Sequence, residues 1–365
     1  MKVPLLDLAA QFRTVEPEVR AGIDRVLKTC GFVLGPEVEA LESEVAQLCG
    51  VAHGIGVSNG SDAIVAALMA LDVGAGDEVI VPVFTFFATA ASVSRVGARP
   101  VFVDILPDTY NIDPDAVAKA VTPRTKAIIP VHLYGQCADM DRVLTVADRH
   151  GIPVIEDAAQ AIGATYKGRP ACSFGKAATL SFYPTKNLSA IGEAGMVLTN
   201  DDKLAATLRV VRHQGQTSEY EHGRLGANFR MSAIQAVALR AKLPHLAAWN
   251  DRRCRHAARY DAALAGNCVV TPHRDPNCGH IYHQYTIRSP NRDALRARLT
   301  EAGIGAKIFY PIPLHLQPVY RNLGYRVGDF PVAEKAAKEV LSLPVFPEMT
   351  AQQQDYVIET IRQAR

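Results

Sequence analysis

ATLSFYPTKNLSAIGEAGM, residues 178–196, decides the fold. The apolar run 178–182 reads as a short buried strand that stops at Pro184, which has no N–H to give a ladder. Lys186 follows at once in a tight, mostly polar turn. Ser189, Gly192 and Gly195 then let the backbone pass close to a neighbour before the next strand, 196–199. A lysine held at the lip of a buried strand loses hydration, its pKa falls from about 10.4, and its amine becomes nucleophilic. A single loop lysine is ordinarily just a solvated charge. Its neighbours must decide between the two.

Outward from this stretch, strand and helix patterns alternate. Short apolar strands are expected at 55–58, 78–81, 100–104, 127–132 and 153–156. Helices are expected at 61–71, 86–96 and 140–150, after two earlier ones, the second with Pro36 in its first turn and Gly50 at its end. Strands separated by helices of this length predict a largely parallel sheet covered on both faces, with ligands at the carboxyl ends of its strands. Residues 214–230 show no periodicity, and a structureless loop of that length is usually functional. Residues 232–264 read as a long helical region kinked at Pro244. A boundary near Trp249 divides the chain into a large unit, 1–248, and a smaller C-terminal α+β unit, 249–365. The last helix carries a capping box from Thr350 and Gln353.

At 365 residues two units are natural, and 48% hydrophobic with 21% charged residues is ordinary globular composition. A formal charge of +2 gives no nucleic-acid footprint. No stretch reads as a membrane span or a signal peptide. The seven cysteines are scattered without ligand spacing, which reads as reduced thiols in a cytoplasmic protein with no metal site.

Four features fall at strand ends. The run SNGSDA, 58–63, takes a strand through a glycine turn into a helix, so the free N–H groups at the helix start, with the Ser61 hydroxyl, form an anion cup. It is neither a Walker loop nor a dinucleotide fingerprint, and an ordinary capped helix is the plainer reading of the run alone. A phosphate carries about −1.5 to −2 charges against roughly +0.5 at a helix terminus, so further donors are needed, with Ser181 and Asn228 as candidates. Asp157, ending a buried strand, needs a cation or strong donors, or else caps the short turn that follows. Phe86 and Phe87 follow a strand, where one ring can cover a planar ligand or both can be core. Together the four supply a lysine for a Schiff base, a carboxylate for a ring nitrogen, a phosphate cup and a stacking ring, the requirements of pyridoxal phosphate.

The motifs VPLLDL (3–8), FVLGPEV (32–38), SNGSDA (58–63), GDEVIVP (76–82), PVHLYGQ (130–136), EDAAQA (156–161), SFYPTKNL (181–188) and GANFR (226–230) stand in one order along the chain. In them the sequence resembles the DegT/DnrJ/StrS family of pyridoxal-phosphate-dependent nucleotide-sugar aminotransferases. The resemblance implies an α/β fold of type I, similar to aspartate aminotransferase: a mostly parallel sheet sandwiched by helices, plus a smaller C-terminal α+β domain. By motif, it implies that Lys186 is the catalytic lysine and holds the cofactor covalently, that Asp157 binds the pyridine nitrogen and that Gln160 lies near the ring hydroxyl. Phe86 would stack on the ring, and Gly60, Ser61 and Ser181 would hold the phosphate. Asn228 would reach the phosphate of the neighbouring subunit, which implies a homodimer with shared sites.

The implied reaction moves an amino group, by family expectation from L-glutamate, to a keto group of a nucleotide-linked sugar. The run 310–317 resembles that of family members acting on 3-keto nucleotide sugars, which implies a 3-keto rather than a 4-keto substrate. Tyr183, Arg230, Tyr310 and His315, and further out His132, Tyr134 and Arg212, are candidate wall residues, each with a structural role as the alternative. Arg230 stands out because it sits two residues from Asn228 and can clamp an anion bidentately. Other readings are a sugar dehydratase, against which Lys186 argues because that branch replaces the lysine by histidine, and a regulatory protein that keeps the fold without catalysis.

Overall fold

The computed structural model describes residues 1–364. Its centre is a seven-stranded sheet built from β1 (His53–Val57), β2 (Glu78–Pro82), β3 (Arg99–Val103), β4 (Thr125–Ile128), β5 (Ile155–Asp157), β6 (Ala177–Ser181) and β7 (Gly195–Thr199). The order is β1-β7-β6-β5 and β4-β2-β3, and parallel bridges Ile128↔Val154 and Val131↔Asp157 join the two halves. Six strands run parallel and β7 alone is antiparallel, paired with β1 and β6. The expected mostly parallel sheet is therefore present, with one reversed strand set between β1 and β6.

Period-2 alternation divides the side chains between two faces. Val79, Val81, Ala177 and Val197 enter one buried cluster with residues of the helices Gly60–Ala70 and Asp202–Arg212. Ile80, Ala178, Leu180, Met196 and Leu198 enter the other, with the helices Pro36–Leu48, Met140–His150 and Ala233–Lys242. Both faces are apolar because both are covered, so the strands read as continuous hydrophobic runs.

Around Pro244 the chain forms a 3-10 turn, Leu243–His245, between the helices Ala233–Lys242 and Leu246–Leu264. The second helix starts with Leu246 in the sheet's cluster and ends with Ala257, Tyr260 and Leu264 in a separate C-terminal cluster. That cluster covers an antiparallel pair, β8 (Tyr285–Arg288) and β9 (Val340–Leu343), and includes the helix Ala351–Arg362, whose Thr350–Gln353 capping box is formed. Contacts cross position 248 in both directions. Val3 bridges Ile304 within the C-terminal cluster, whereas Leu314, Tyr320 and Ala333 pack against the large sheet. The expected structureless loop at 214–230 instead holds a small hairpin, Gln216–Ser218 with Glu221–His222, and Tyr220 and Leu225 stand out from it exposed. Among the described residues no helix is long and apolar enough to cross a membrane.

Candidate active site

The carboxyl ends of β1, β2, β5 and β6 carry the four features in question. After β1, Asn59 caps the helix Gly60–Ala70, its Oδ1 accepting from the Asp62 N–H at 2.8 Å. Asp62 Oδ2 accepts from Ser58 Oγ (2.6 Å) and Asn59 Nδ2 (2.7 Å), and Arg95 pairs with Oδ1 at 3.0 Å, which locks the turn. The N–H groups of Gly60 and Ser61 are helix-start donors with no acceptor inside the helix. A Cβ on Gly60 would stand 2.6 Å from Ser181 Cβ and 2.9 Å from Ser181 Oγ, so only glycine lets the helix start meet the end of β6. Gly195 is required in the same way: a Cβ there would lie 2.4 Å from the carbonyl of Asn59. The close approach expected of that glycine is thus to backbone.

Lys186 follows β6 in a turn closed by its own N–H donating to the Tyr183 carbonyl at 2.8 Å. Part of the side chain still meets solvent, yet protein surrounds the amine closely enough that desolvation draws its pKa down to about 8, against a smaller upward pull from the Asp157 charge. Asp157, buried at the end of β5, has its pKa raised by desolvation. Thr89 Oγ1 donates to its Oδ2 at 2.8 Å, the Ala159 N–H donates to Oδ1 at 3.2 Å, and Lys186 adds an opposite charge. These contacts favour the carboxylate, and a cation placed against it would complete its neutralisation. Thr89 was not singled out from sequence. Its position, four residues after Thr85 on a helix start, is the signal that could have found it, and the two hydroxyls lie 3.1 Å apart.

Phe86 stands at the N-cap position of the helix Phe87–Arg95 and is 58% exposed, its ring 6.1 Å from that of Tyr310. Gln160 joins two segments: its Oε1 accepts from the Tyr134 N–H at 2.7 Å and its Nε2 donates to Tyr310 Oη at 3.0 Å. Asn228 is exposed on the strand-like segment beside His213, next to Phe229, whose carbonyl accepts from the Ser58 N–H. Arg230 bridges Val57 through its backbone and donates from its guanidinium to His213 Nδ1 at 2.9 Å. Tyr183 is exposed beside Lys186.

Three of the wider candidates are committed elsewhere. His132 is fully buried, its Nδ1 accepting from the Ala138 N–H (3.1 Å) and its Nε2 facing Glu156 Oε2 at 2.9 Å. Arg212 is paired with the buried Glu42, which also accepts from the Gly56 N–H at 2.7 Å. His315 is buried against Phe330, with Nε2 3.1 Å from Glu334 Oε1 and Nδ1 unpartnered. Glu156, the neighbour of Asp157, points the other way and accepts from His132 Nε2 and from the N–H groups of Cys172, Phe174 and Gly175 at 2.7–2.9 Å.

The residues at the strand ends fit a phosphorylated planar cofactor: a glycine cradle with free donors, a buried carboxylate, an exposed aromatic side chain and a desolvated amine. Known proteins are similar to this chain along almost its whole length. The model of the DegT/DnrJ/EryC1/StrS aminotransferase family matches residues 14–362. A pleiotropic regulatory protein of Geobacillus stearothermophilus is 54% identical over 364 residues, covering 99% of this chain and 98% of that one. A UDP-N-acetyl-3-dehydro-alpha-D-glucosamine 3-aminotransferase of Acidithiobacillus ferrooxidans is 47% identical over 360 residues, covering 99% and 97%. Among solved structures, Streptomyces venezuelae DesV in complex with a ketimine intermediate superposes with a TM-score of 0.97 at 44% identity, covering 100% of this chain and 98% of that one. The chain belongs to the DegT/DnrJ/EryC1/StrS aminotransferase family.

Proposed function

We propose that this protein is a pyridoxal-phosphate-dependent aminotransferase that carries an amino group from L-glutamate to a 3-keto sugar linked to a nucleotide. The observation that carries the reading is the desolvated Lys186 amine placed in the field of the buried Asp157 carboxylate, beside the Gly60–Ser181 cradle. When bound, the cofactor supplies an aldehyde carbon for amines and a protonated ring that accepts an electron pair from the carbon being deprotonated. The Gly60 and Ser61 N–H groups, with the Ser61 and Ser181 hydroxyls, hold the phosphate. Asp157, whose carboxylate accepts from Thr89 and the Ala159 N–H, would hold the ring nitrogen. Phe86 orients the ring from one face, and Gln160, fixed by Tyr134 and Tyr310, stands near its hydroxyl.

Lys186 Nζ would take up the proton of the donor's α-carbon and give it back, a role that a pKa of about 8 suits. Tyr183, Arg230 and Tyr310 line the approach for the sugar nucleotide, whereas His315 serves through Glu334 as support. Asn228 completes the phosphate site of a second subunit in a homodimer, which gives a purpose to its exposed amide. The reading places the work in the cytoplasm, on units that divide near Trp249. The 3-keto position is supported by the activity for which the Acidithiobacillus relative is named.

The relative named as a regulatory protein supports a second reading, in which the fold binds cofactor without turnover. Glutamate added to the cofactor-loaded protein separates the two. An aminotransferase loses the yellow absorbance and regains it with a 3-keto nucleotide sugar. A colourless protein, in which borohydride fixes no pyridoxyl group on Lys186, overturns both readings.

A further inference from the structure

Asn187, next to Lys186, is buried and spends its whole amide on distant segments. Its Nδ2 donates to Asn250 Oδ1 at 2.7 Å, with the Ile281 carbonyl at 3.5 Å, and its Oδ1 faces His283 Nδ1 at 3.0 Å. Asn250 in turn donates from Nδ2 to the Ile162 carbonyl at 3.2 Å. The direction of the chain is set from its far end. Asn250 presents oxygen to Asn187, so Asn187 presents oxygen to the imidazole, and the imidazole must carry its proton on Nδ1. Its Nε2 is then an acceptor, and the nearest group, Gln284 Nε2 at 3.5 Å, is a donor. His283 is buried and stays neutral: desolvation holds its pKa well below the ordinary value, and the charges of Lys186 and Arg253 act in the same direction. No pair among these groups can drop out quietly, because each buried amide or ring nitrogen left alone carries its full desolvation penalty.

We propose that His283 is a positioning residue for Lys186, acting through Asn187: its Nδ1–H fixes the Asn187 amide and with it the backbone that aims the lysine. The inference rests on the reading that Lys186 does the chemistry. It also explains why a lysine in a turn stays desolvated. The turn is tied to the helix Leu246–Leu264 and to the segment entering β8 through buried side chains.

The test compares two variants of similar size. The amide nitrogen of His283→Asn can replace Nδ1, whereas His283→Gln places its amide near the Nε2 position. In cofactor-free protein, the pH midpoint for acylation of Lys186 is read by mass spectrometry, with Asp157 and His283 as its ionisable neighbours and Arg253 acting on His283. His283→Asn should keep the wild-type midpoint. His283→Gln should raise it by about one unit, a tenfold loss of neutral amine at pH 7. In loaded protein the glutamate half-reaction should slow about tenfold in His283→Gln at nearly unchanged KM and be restored in His283→Asn. Asn187→Ala should reproduce the Gln phenotype, and the Asn187→Ala/His283→Gln double variant should add less than about twofold. Equal behaviour of the Asn and Gln variants, whether both intact, both impaired or both unfolded, would overturn the proposal, as would full additivity with Asn187→Ala. If borohydride fixes the cofactor elsewhere than on Lys186, the functional reading fails, while the acylation midpoints still judge the tie between His283 and the turn.

Discussion

Gly60 and Ser181 touch backbone to side chain: a Cβ on residue 60 would stand 3.1 Å from Ser181 Cα and 2.6 Å from its Cβ. The first turn of a helix and the last residue of a strand are thereby held as one cup, although 121 positions separate them in sequence (181 − 60).

Gly60→Ala should therefore fold, since the helix itself accepts alanine, but should push the strand end and the helix start apart. Cofactor affinity is expected to fall at least about tenfold, equivalent to about 1.4 kcal/mol. Absorbance titration of the apoprotein with pyridoxal phosphate measures it, and unchanged affinity would mean the phosphate sits elsewhere.

The Lys186 amine titrates near pH 8 in the folded protein and near 10.4 in the unfolded chain. Between those values the unfolded chain binds a proton that the folded one lacks, so this lysine's contribution to stability rises with pH across the window and is lost as pH falls through about 8. Covalent capture of the cofactor should accelerate about tenfold from pH 7 to pH 9, as the neutral amine becomes the majority form. Asp157→Asn removes the charge that holds the amine up, so its midpoint should move below that of the wild type. Stopped-flow absorbance reads the rate, and a flat profile contradicts the assignment.

Lys186→Ala should fold and bind the cofactor phosphate, yet lose turnover by at least about a thousandfold. Borohydride should then fix no pyridoxyl group to the chain. Transamination within tenfold of wild type would remove the lysine from the mechanism.

Mixing Lys186→Ala with Asn228→Asp protein distinguishes sites shared across a dimer from self-contained ones. Each parent should be nearly inactive, the second because a carboxylate there repels the phosphate. If Asn228 serves its neighbour, a random mixture regains about a quarter of wild-type activity from mixed dimers with one intact site. No recovery on mixing would confine Asn228 to its own subunit.

Glu156→Gln should cost stability before chemistry. The buried carboxylate accepts four hydrogen bonds, and an amide turns a donor toward at least one N–H. A loss of about 2–3 kcal/mol is expected, on the order of 5 °C in thermal midpoint. A differential scanning measurement checks it.

Much of this was legible in the sequence for identifiable reasons. The strands of the large sheet are continuous apolar runs because both faces are covered, and the carboxyl-end rule then places Ser61, Phe86, Asp157 and Lys186 on one edge. The reversal of β7 was not legible, because a buried strand has the same pattern in either direction. Nor were Thr89, Asn187 and His283. Their significance lies in partners 63 to 96 positions away: the spacing of Thr89 from Thr85 hints at a hydroxyl pair but not at Asp157, and a lone asparagine or histidine carries no local sign of its partners. His132 and Arg212 looked available from sequence, yet both are occupied by buried carboxylates that local pattern does not reveal.

The helix Leu246–Leu264 contains neither glycine nor proline, and it is seated in both hydrophobic clusters. It works as a torsion bar. Any displacement of the C-terminal cluster against the sheet must slide or twist along this rod, since it has no inexpensive place to bend. Through Asn250, such a twist would be delivered to Asn187, the neighbour of Lys186.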